Sequence, residues 1–277
     1  VWRVFIPLMR SDGETYRVRF IPEASPTPMY ISEDTAEGHV YSKYTQKGYN
    51  AKFQQKVERI FFKDDSVYRN VPVESLFYSN ALKSIMAQRL GCSNYTNSLH
   101  YLSRGHLAAK TDFVFAFGER ATFHYVNCAP QWYGFNSGNW NTLEVDLREH
   151  VHNVGYDTII YTGTYGVLEL NNISVFLYTD KDNNPVVPVP LYYYKVIYEP
   201  NLRLGTVFVG INKPYYSLNE ARDLFFCHDV CRNNNDFRWL SWKPDDAFAG
   251  YAFCCTVNDF RRTVDHLPHF EVNGLLT

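Results

Sequence analysis

The sequence lacks several features that would assign it to a common class of protein. No stretch approaches the about 18 uninterrupted apolar residues of a membrane span, so we expect none. The formal net charge is -2, whereas proteins that hold polyanions by bulk electrostatics usually carry a clear positive excess. A phosphate-binding Gly-rich loop, Gly-x-Ser-x-Gly and His-Glu-x-x-His are all missing, which excludes the commonest NTPases, esterases and metalloproteases. Because the net charge is slightly negative, any polyanion would have to be held by locally concentrated positive charge.

The cysteines and glycosylation sequons favour the secretory pathway. Six cysteines form an even set that fits three disulfides. N-glycosylation sequons begin at Asn94 and Asn172. We therefore expect a secreted, extracellular glycoprotein with disulfide bonds. The sequence begins at Val1 with neither an initiator Met nor a signal segment, so we expect a mature or processed product.

Four of the cysteines lie in the last quarter of the chain. Cys227 and Cys231, together with the adjacent Cys254 and Cys255, could be interpreted as a zinc cluster. Adjacent cysteines are awkward tetrahedral ligands, and the spacing is not that of a standard zinc finger. Two disulfides of undetermined connectivity are the better interpretation, and a Cys92–Cys128 pair would be the third.

The abundance of tyrosine and phenylalanine favours strands. The chain contains 22 Tyr and 20 Phe, residues that suit the half-buried surface of a sheet. Strands are predicted in short alternating runs over residues 1–30 and in the runs 122–126, 158–161, 188–198 and 205–211. No repeat or flexible linker interrupts the chain, so we expect residues 1–277 to form a single α+β domain.

Two segments have the apolar spacing of helices. Apolar residues recur at helical intervals over residues 73–91, which Gly91 would end. Trp140, Leu143, Leu147 and Val151 predict a second helix over residues 139–153, and Gly155 would stop it. Trp140 is more typical of the core than of a functional site.

The window Ser103-Arg104-Gly105-His106 follows directly after strand-like residues. Glycine allows the backbone to approach a ligand closely or to adopt a strained turn. The planar guanidinium of Arg104 suits phosphate oxygens, and His106 can accept a proton near neutral pH. The window therefore predicts a base and an anion-binding group side by side.

Asn136 and Glu144 lie at the start of the second predicted helix. On a regular helix the two side chains would be about 80° apart, on roughly one side. Asn136 could instead cap the helix, and Glu144 could be a solvated helix residue. If both converge on the Arg104–His106 window, the set would supply the base, positive charge and oxygen donors that phosphodiester hydrolysis requires.

These segments resemble the DNA/RNA non-specific endonuclease family. Arg104-Gly105-His106 matches the last three letters of its Asp-Arg-Gly-His signature, and residues 127–131 are similar to its Asn-x-x-Pro-Gln element. Residues 136–144 are similar to its Asn-x-Gly-x-Trp-x-x-Leu-Glu helix start. The resemblance covers the chain from about residue 75 to the end. It is nearest to the secreted arthropod branch, which includes double-strand-preferring enzymes.

The resemblance implies a fold and a set of roles. The fold would be a central antiparallel sheet flanked by helices, with a ββα-metal (His-Me finger) active-site motif. The substrate would be DNA, RNA or both, preferably double-stranded, cut to 5′-phosphate products. For the protein itself we expect no membrane association and no obligate protein partner. The roles are as follows: His106 deprotonates the attacking water, Asn136 binds one Mg²⁺ directly (Mn²⁺ can substitute), Glu144 binds it through water, Arg104 and Asn127 contact the scissile phosphate, and Gln131 is a further substrate-binding candidate.

One departure from the signature affects these expectations. Ser103 stands where the family has Asp, which leaves open how His106 is oriented, although the acidic residue is not the base. The family also uses an arginine further upstream, for which Arg59 and Arg69 are the candidates. If His106 keeps its reference pKa of about 6.5, activity should rise from acid toward neutral pH.

Two alternatives to an active nuclease remain. The substitution at Ser103 would suit a catalytically lapsed, secreted nucleic-acid-binding protein, which would bind without metal-dependent turnover. A glycosylated, disulfide-bonded binding or storage protein with a relic motif would show neither nucleic-acid affinity nor a metal requirement.

Overall fold

The structure, a computed structural model, describes the chain mainly from residue 100 onward. The described residues are 2–4, 18–20, 30–31, 41–46, 57–63, 68, 71–77, 83–84, 87–88 and 100–277, the last range without 156, 182, 183 and 215. The three earliest segments are described by their backbone alone. Arg69, Cys92, Asn94 and most of the first predicted helix lie outside these residues.

Fourteen strands are described, and those of the main sheet are all antiparallel. They are β1 (Trp2–Val4), β2 (Val18–Phe20), β3 (Tyr30–Ile31), β4 (Tyr41–Gln46), β5 (Leu102–His106), β6 (Cys128–Trp132), β7 (Thr158–Val167), β8 (Glu169–Leu170), β9 (Ile173–Ser174), β10 (Phe176–Thr179), β11 (Pro185–Pro188), β12 (Pro190–Glu199), β13 (Leu204–Ile211) and β14 (Ala252–Thr256). The central sheet has the order β14-β13-β12-β7-β4-β3, and the other strands form two-stranded pairs. The predicted strands at 158–161, 188–198 and 205–211 are thus confirmed. β7 extends six residues beyond its predicted end, and the other two differ from their predicted bounds by one or two residues.

The helices in the described residues are short except for one. They are α1 (Val73–Leu76), α2 (Ala116–Ala121), α3 (Tyr133–Phe135), α4 (Asn141–Val154), α5 (Leu218–Arg222) and α6 (Val257–Phe260). None of the helices in the described part of the chain combines the length and apolar character needed to cross a membrane. The mixed architecture, with a central antiparallel sheet and few helices, confirms the predicted α+β class.

Successive side chains of β12 point to opposite faces of the central sheet, and each face packs into its own core. Tyr193 and Ile197 pack into the core that contains the apolar stripe of α4. Tyr194 and Val196 pack into a second core on the opposite face, with residues of β14 and α6. A strand buried on both faces explains why this run of the sequence is almost continuously apolar.

The helix predicted over 139–153 is α4. Leu143, Leu147 and Val151 are buried along one stripe. The helix ends at Gly155, which adopts the left-handed conformation (φ 76°) and donates its backbone N–H to the Val151 carbonyl. The helical spacing and the glycine stop therefore predicted both the packing face and the end of the helix.

The strand predicted over 122–126 is wrong. Tyr125–Asn127 form a 3₁₀ turn, His124 makes only an isolated parallel bridge to Phe62, and the strand begins at Cys128. The side chain of Asn127 holds the turn, since its Nδ2 donates to the carbonyls of Ala108 and Thr122 at 2.9 and 3.0 Å. Hydrogen bonds from a side chain to backbone groups offer the chain an alternative to a strand ladder, and they are present at this turn.

Candidate active site

Strands β5 and β6 form an antiparallel pair that is followed by α3 and α4. In the register, Ser103 lies opposite Gln131, Gly105 opposite Ala129, and His106 opposite Cys128. Asn212 fastens β6 to the central sheet, because it accepts from Trp132 N at 2.8 Å and donates to the Pro130 carbonyl at 3.0 Å. The predicted ββα arrangement is therefore present and is held against the sheet by a buried asparagine.

Gly105 lies where β5 approaches buried groups closely. A Cβ atom at this position would lie 2.6 Å from Cβ of Gln131 and 2.7 Å from the phenolic oxygen of Tyr193. Any side chain would push β5 away from the layer beneath it. The glycine of the signature is therefore required by packing in this protein.

His106 projects from the end of β5 into a cavity. Its ring packs against Phe61 and Phe123, each with ring centroids 5.4 Å away. Burial lowers the pKa of His106 to about 4, a hydrogen bond to the Arg104 backbone opposes this, and the charges of Arg104 and Arg59 lower the pKa further. The Nε2 atom is buried and has no hydrogen-bond partner in the described part of the chain. His106 is thus a neutral base at neutral pH, with one ring nitrogen unengaged.

We expect an NMR titration of the His106 ring, in EDTA, to give a midpoint near pH 4 rather than at the reference value of about 6.5. Because the folded chain disfavours protonation, the unfolded chain binds more protons between these values. The free energy of unfolding should therefore fall as the pH drops through this window. The His106→Ala variant assigns the resonance, and a midpoint close to 6.5 would contradict the burial of the ring.

Two arginines line the same cavity as His106. The guanidinium of Arg104 lies 4.4 Å from the Phe61 ring centroid, and its Nη1 is 3.4 Å from the hydroxyl of Tyr125. The exposed Arg59 also lines the cavity. Of the two upstream candidates, Arg59 is therefore the one that the structure places at the site, since Arg69 lies outside the described residues.

Asn136 also lines the cavity, but it does not cap the helix. A π-helical stretch, Asn136–Trp140, joins α3 to α4, and Gly138 interrupts it with non-helical angles (φ -95°, ψ -117°). The angle expected from a regular helix does not apply across this kink. The Nδ2 atom of Asn136 donates to Ser103 Oγ at 2.9 Å, so the side chain is tied to β5 rather than to the start of α4.

Glu144 lines the cavity from the first turn of α4 and is half-buried, so the alternative of a solvated helix residue is wrong. Burial raises the pKa of its carboxyl to about 7, and the charge of Lys195 is the main influence in the opposite direction. Lys195 is 1% exposed and donates from Nζ to Thr162 Oγ1 at 2.8 Å. Burial therefore disfavours the ionised form of Glu144, and the charge of Lys195 offsets this only in part, while burial also lowers the pKa of Lys195.

An ion pair between Arg148 and Asp112 lies next to this lysine in the core. Arg148 Nη1 and Asp112 Oδ1 are 2.7 Å apart, and both side chains are at least nine-tenths buried. The hydroxyl of Tyr44 also donates to Asp112. The pair connects α4 to the 3₁₀ turn Lys110–Asp112, whose first residue lines the cavity.

The structure does not place Asn127 or Gln131 where they could contact a phosphate. Both are 0% exposed, and neither lines the cavity. Oδ1 of Asn127 accepts a hydrogen bond from Ala108 N, and Nδ2 donates to the carbonyls of Ala108 and Thr122. Gln131 points under Gly105, where its amide atoms are buried. These positions run against the predicted phosphate contact of Asn127 and the predicted substrate contact of Gln131. Asn127 instead holds the loop beside the site, and the Gln131 side chain makes no hydrogen bond within the described residues.

The cavity has a volume of about 600 Å³ and combines the remaining predicted residues. It is lined by His106, Arg104, Asn136 and Glu144, and by residues that the sequence had not singled out, among them Phe61, Tyr101, Lys110, Tyr133 and Asn141. The stacked rings of Tyr101 and Tyr133, 4.7 Å apart, form part of its wall. An imidazole, positively charged side chains, and oxygen atoms that can ligate a metal thus line the same cavity.

The donors in the cavity suit a hard divalent cation. Asn136 Oδ1 makes no hydrogen bond to the described residues, and Glu144 supplies a carboxylate, so both can offer oxygen. Elsewhere, the one close group of His, Cys, Asp or Glu ligands in the described chain is Asp229, Cys231 and Cys254. Its two sulfurs are joined in a disulfide and cannot act as thiolates.

The four cysteines in the last quarter of the chain form two disulfides, as predicted, rather than a zinc cluster. Cys227 pairs with Cys255, and Cys231 pairs with Cys254. Cys128 is buried and forms no disulfide within the described residues, which do not include Cys92. The Cys92–Cys128 bond stays a prediction. Asn172, the described sequon, lies exposed in the turn between β8 and β9.

Several known proteins are similar to this chain. A salivary endonuclease of Lutzomyia longipalpis is 27% identical over 273 residues, which are 95% of this chain and 64% of that protein. A salivary endonuclease of Culex quinquefasciatus is 33% identical over 169 residues, 58% of this chain and 43% of that protein. The chain thus spans less than two thirds of the length of these relatives. In a solved EndoG/EndoGI complex, one chain has a TM-score of 0.47 and 18% identity, with 85% of this chain and 82% of that chain covered.

The sequence model of the DNA/RNA non-specific endonuclease family matches residues 32–260. The match begins well before residue 75, so the predicted start of the resemblance was placed too far along the chain. It spans the central sheet from β4 onward, the β5–β6 pair and α4. The chain belongs to the DNA/RNA non-specific endonuclease family.

Proposed function

We propose that this chain acts as a Mg²⁺-dependent endonuclease that hydrolyses phosphodiester bonds of DNA, RNA or both without sequence preference. The observation that carries the proposal is the convergence of His106, Arg104, Asn136 and Glu144 on one cavity. The names of the salivary endonucleases among its relatives support the same activity.

His106 is the proposed general base. Its lowered pKa keeps the ring neutral at neutral pH, and Nε2 is free to accept a proton from the attacking water. The water oxygen forms a bond to phosphorus while the bond to the 3′ oxygen breaks, which yields a 5′-phosphate. The flanking rings of Phe61 and Phe123 restrict the orientation of the imidazole during this transfer.

Arg104 and Arg59 are the proposed phosphate ligands. Both line the cavity, and the guanidinium group offers paired donors to phosphate oxygens. Contacts to phosphate rather than to base edges carry no sequence information, so cutting would be sequence-tolerant. This local charge is compatible with the net charge of -2, because the arginines are concentrated where the substrate would bind.

Asn136 would bind one Mg²⁺ directly, with Mn²⁺ as a possible substitute, and Glu144 would bind it through water. When bound, the ion would act as a Lewis acid that stabilises charge on the leaving oxygen. Burial raises the pKa of the Glu144 carboxyl to about 7, and the charge of Lys195 acts in the opposite direction, toward the carboxylate form that this role requires. The two disulfides and the exposed sequon at Asn172 support the proposal that the protein is extracellular.

The proposal is tested by incubating the purified chain with supercoiled plasmid, single-stranded DNA and long double-stranded RNA. We expect cutting in Mg²⁺ or Mn²⁺ and none in EDTA, with duplex substrates cut faster. The 5′ ends of the products should accept a radioactive phosphate from a kinase only after phosphatase treatment. Products that can be labelled directly would contradict the proposed bond cleavage.

A catalytically lapsed binding protein is the second candidate, and Ser103 in place of the signature Asp is the observation that favours it. In that case the chain would shift labelled nucleic acid in a gel, while no substrate would be cut in any metal. Cutting in Mg²⁺ that EDTA abolishes would exclude this candidate.

A further inference from the structure

Ser103 forms a relay between β6 and the helical segment that follows it. Its Oγ atom donates a hydrogen bond to the backbone carbonyl of Gln131 at 2.9 Å. The same atom accepts a hydrogen bond from Nδ2 of Asn136, also at 2.9 Å. One half-buried hydroxyl thus connects the strand pair to the side chain that would bind the metal.

The relay determines which end of the Asn136 amide faces the cavity. A serine hydroxyl has a single hydrogen, and the Gln131 carbonyl, which can only accept, takes it. The hydroxyl oxygen can then only accept a hydrogen bond from its other neighbour, so it selects the NH₂ end of Asn136. The Oδ1 atom is left free of hydrogen bonds to the described residues.

We propose that Ser103 is a positioning residue that holds the Asn136 amide with its oxygen toward the metal. The proposal rests on the proposed function, because it needs Asn136 as a ligand of the ion. Without the relay the two ends of the amide would compete for the cavity. The end that carries hydrogens repels a cation and cannot ligate it.

An aspartate could not form the same relay. An ionised carboxylate at position 103 has no hydrogen to donate. Its oxygens and the Gln131 carbonyl would both be acceptors, so no hydrogen bond could form between them. The serine satisfies the carbonyl and the amide at once. A carboxylate would also accept from Nδ2 of Asn136, so the departure from the family signature is compatible with a working metal site; only the bond to the Gln131 carbonyl depends on the serine hydrogen.

The relay is not needed to hold the strands together. Ser103 and Gln131 lie opposite each other in a backbone ladder of five residue pairs, which does not involve the hydroxyl. Removal of the hydroxyl should leave the pairing of β5 and β6 in place. A change in metal affinity can therefore be separated from a change in fold.

The first test measures Mn²⁺ binding to the full chain by titration calorimetry, without nucleic acid. We expect Ser103→Ala to weaken Mn²⁺ binding about threefold to tenfold, the range of one neutral hydrogen bond. Ser103→Thr keeps the hydroxyl and should bind Mn²⁺ as the unaltered chain does. Ser103→Cys, which keeps the side-chain shape but accepts weakly, should resemble the alanine variant and replaces it if that variant does not fold.

The second test repeats the substitution in an Asn136→Asp background. A carboxylate offers an oxygen at both ends and needs no selection between them. We therefore expect Ser103→Ala to change Mn²⁺ affinity much less in this background than in the unaltered chain. An equal loss in both backgrounds would mean that Ser103 acts on the metal site by another route, and it would overturn the relay.

The outcomes distinguish this inference from the proposed function. If the unaltered chain binds Mn²⁺ and Asn136→Ala abolishes binding, but Ser103→Ala binds normally, the relay is wrong and the proposed function stands. If the unaltered chain binds no Mn²⁺ and cuts no substrate, both are overturned. If Asn136→Ala binds Mn²⁺ normally, the metal lies elsewhere and the relay is again excluded.

Discussion

Replacement of His106 by alanine is expected to lower kcat for cleavage of plasmid DNA by a factor of about 10² to 10⁴, the usual contribution of a positioned general base. Among the described residues His106 is the one histidine that lines the cavity, so no other imidazole can take over its role. Arg104 and Arg59 remain in the variant, and KM should change little. Initial rates at saturating plasmid concentration, in Mg²⁺, measure the effect.

His269 provides a matched control, because it is an exposed histidine outside the cavity. His269→Ala should cut plasmid at the rate of the unaltered chain. The melting temperature of His106→Ala should be recorded as well, since the ring packs against Phe61 and Phe123. A folded His106→Ala variant that keeps more than about a tenth of the rate would exclude His106 as the base.

Replacement of Asp112 by alanine is expected to lower the free energy of unfolding by about 3–5 kcal/mol, the usual result of leaving one partner of a buried ion pair alone. The side chain of Arg148 is 9% exposed and would lose its partner at 2.7 Å. Tyr44 would also lose the acceptor for its hydroxyl. Urea unfolding followed by tryptophan fluorescence gives the difference in stability.

The ion pair between Arg203 and Glu271 is the matched control for this experiment. Its N–O distance is also 2.7 Å, but the two side chains are 52% and 65% exposed. Glu271→Ala should cost less than about 1 kcal/mol, because water screens the pair and solvates the arginine that remains. The combined change Asp112→Leu with Arg148→Met should recover much of the loss. Equal costs for Asp112→Ala and Glu271→Ala would mean that burial does not strengthen the structural role of the Asp112 pair.

Local patterns in the sequence were sufficient for the framework of the site. The apolar spacing through Leu143, Leu147 and Val151 predicted α4, and the glycine stop predicted its end. The chemical types of Arg104 and His106 predicted a base beside an anion-binding group, and both line the cavity. These features depend on the period of a helix and on the chemistry of single side chains, and both can be read from a short stretch of sequence.

The same patterns failed where a side chain had a choice of partners. Asn127 belongs to a recognisable motif, but its amide bonds to the backbone at Ala108 and Thr122 and is closed to a substrate. Asn136 could have capped a helix, and it instead donates to Ser103. A hydrogen-bonding side chain pairs with whichever group the fold brings near, and that group can be remote in sequence, as Ala108 is from Asn127 and Ser103 is from Asn136.

By itself, the sequence determined the family, the class of fold and the kinds of chemistry available, because these follow from residue types at fixed spacings. Only the tertiary structure decided which residues face the cavity and how readily they bind protons. The pKa of His106 is lowered by burial among rings from separate segments. The pKa of Glu144 is raised by burial to about 7, against the opposing charge of Lys195, which comes from β12. Burial and the distance between charges depend on how remote segments pack together, so they could be known only once the chain was folded.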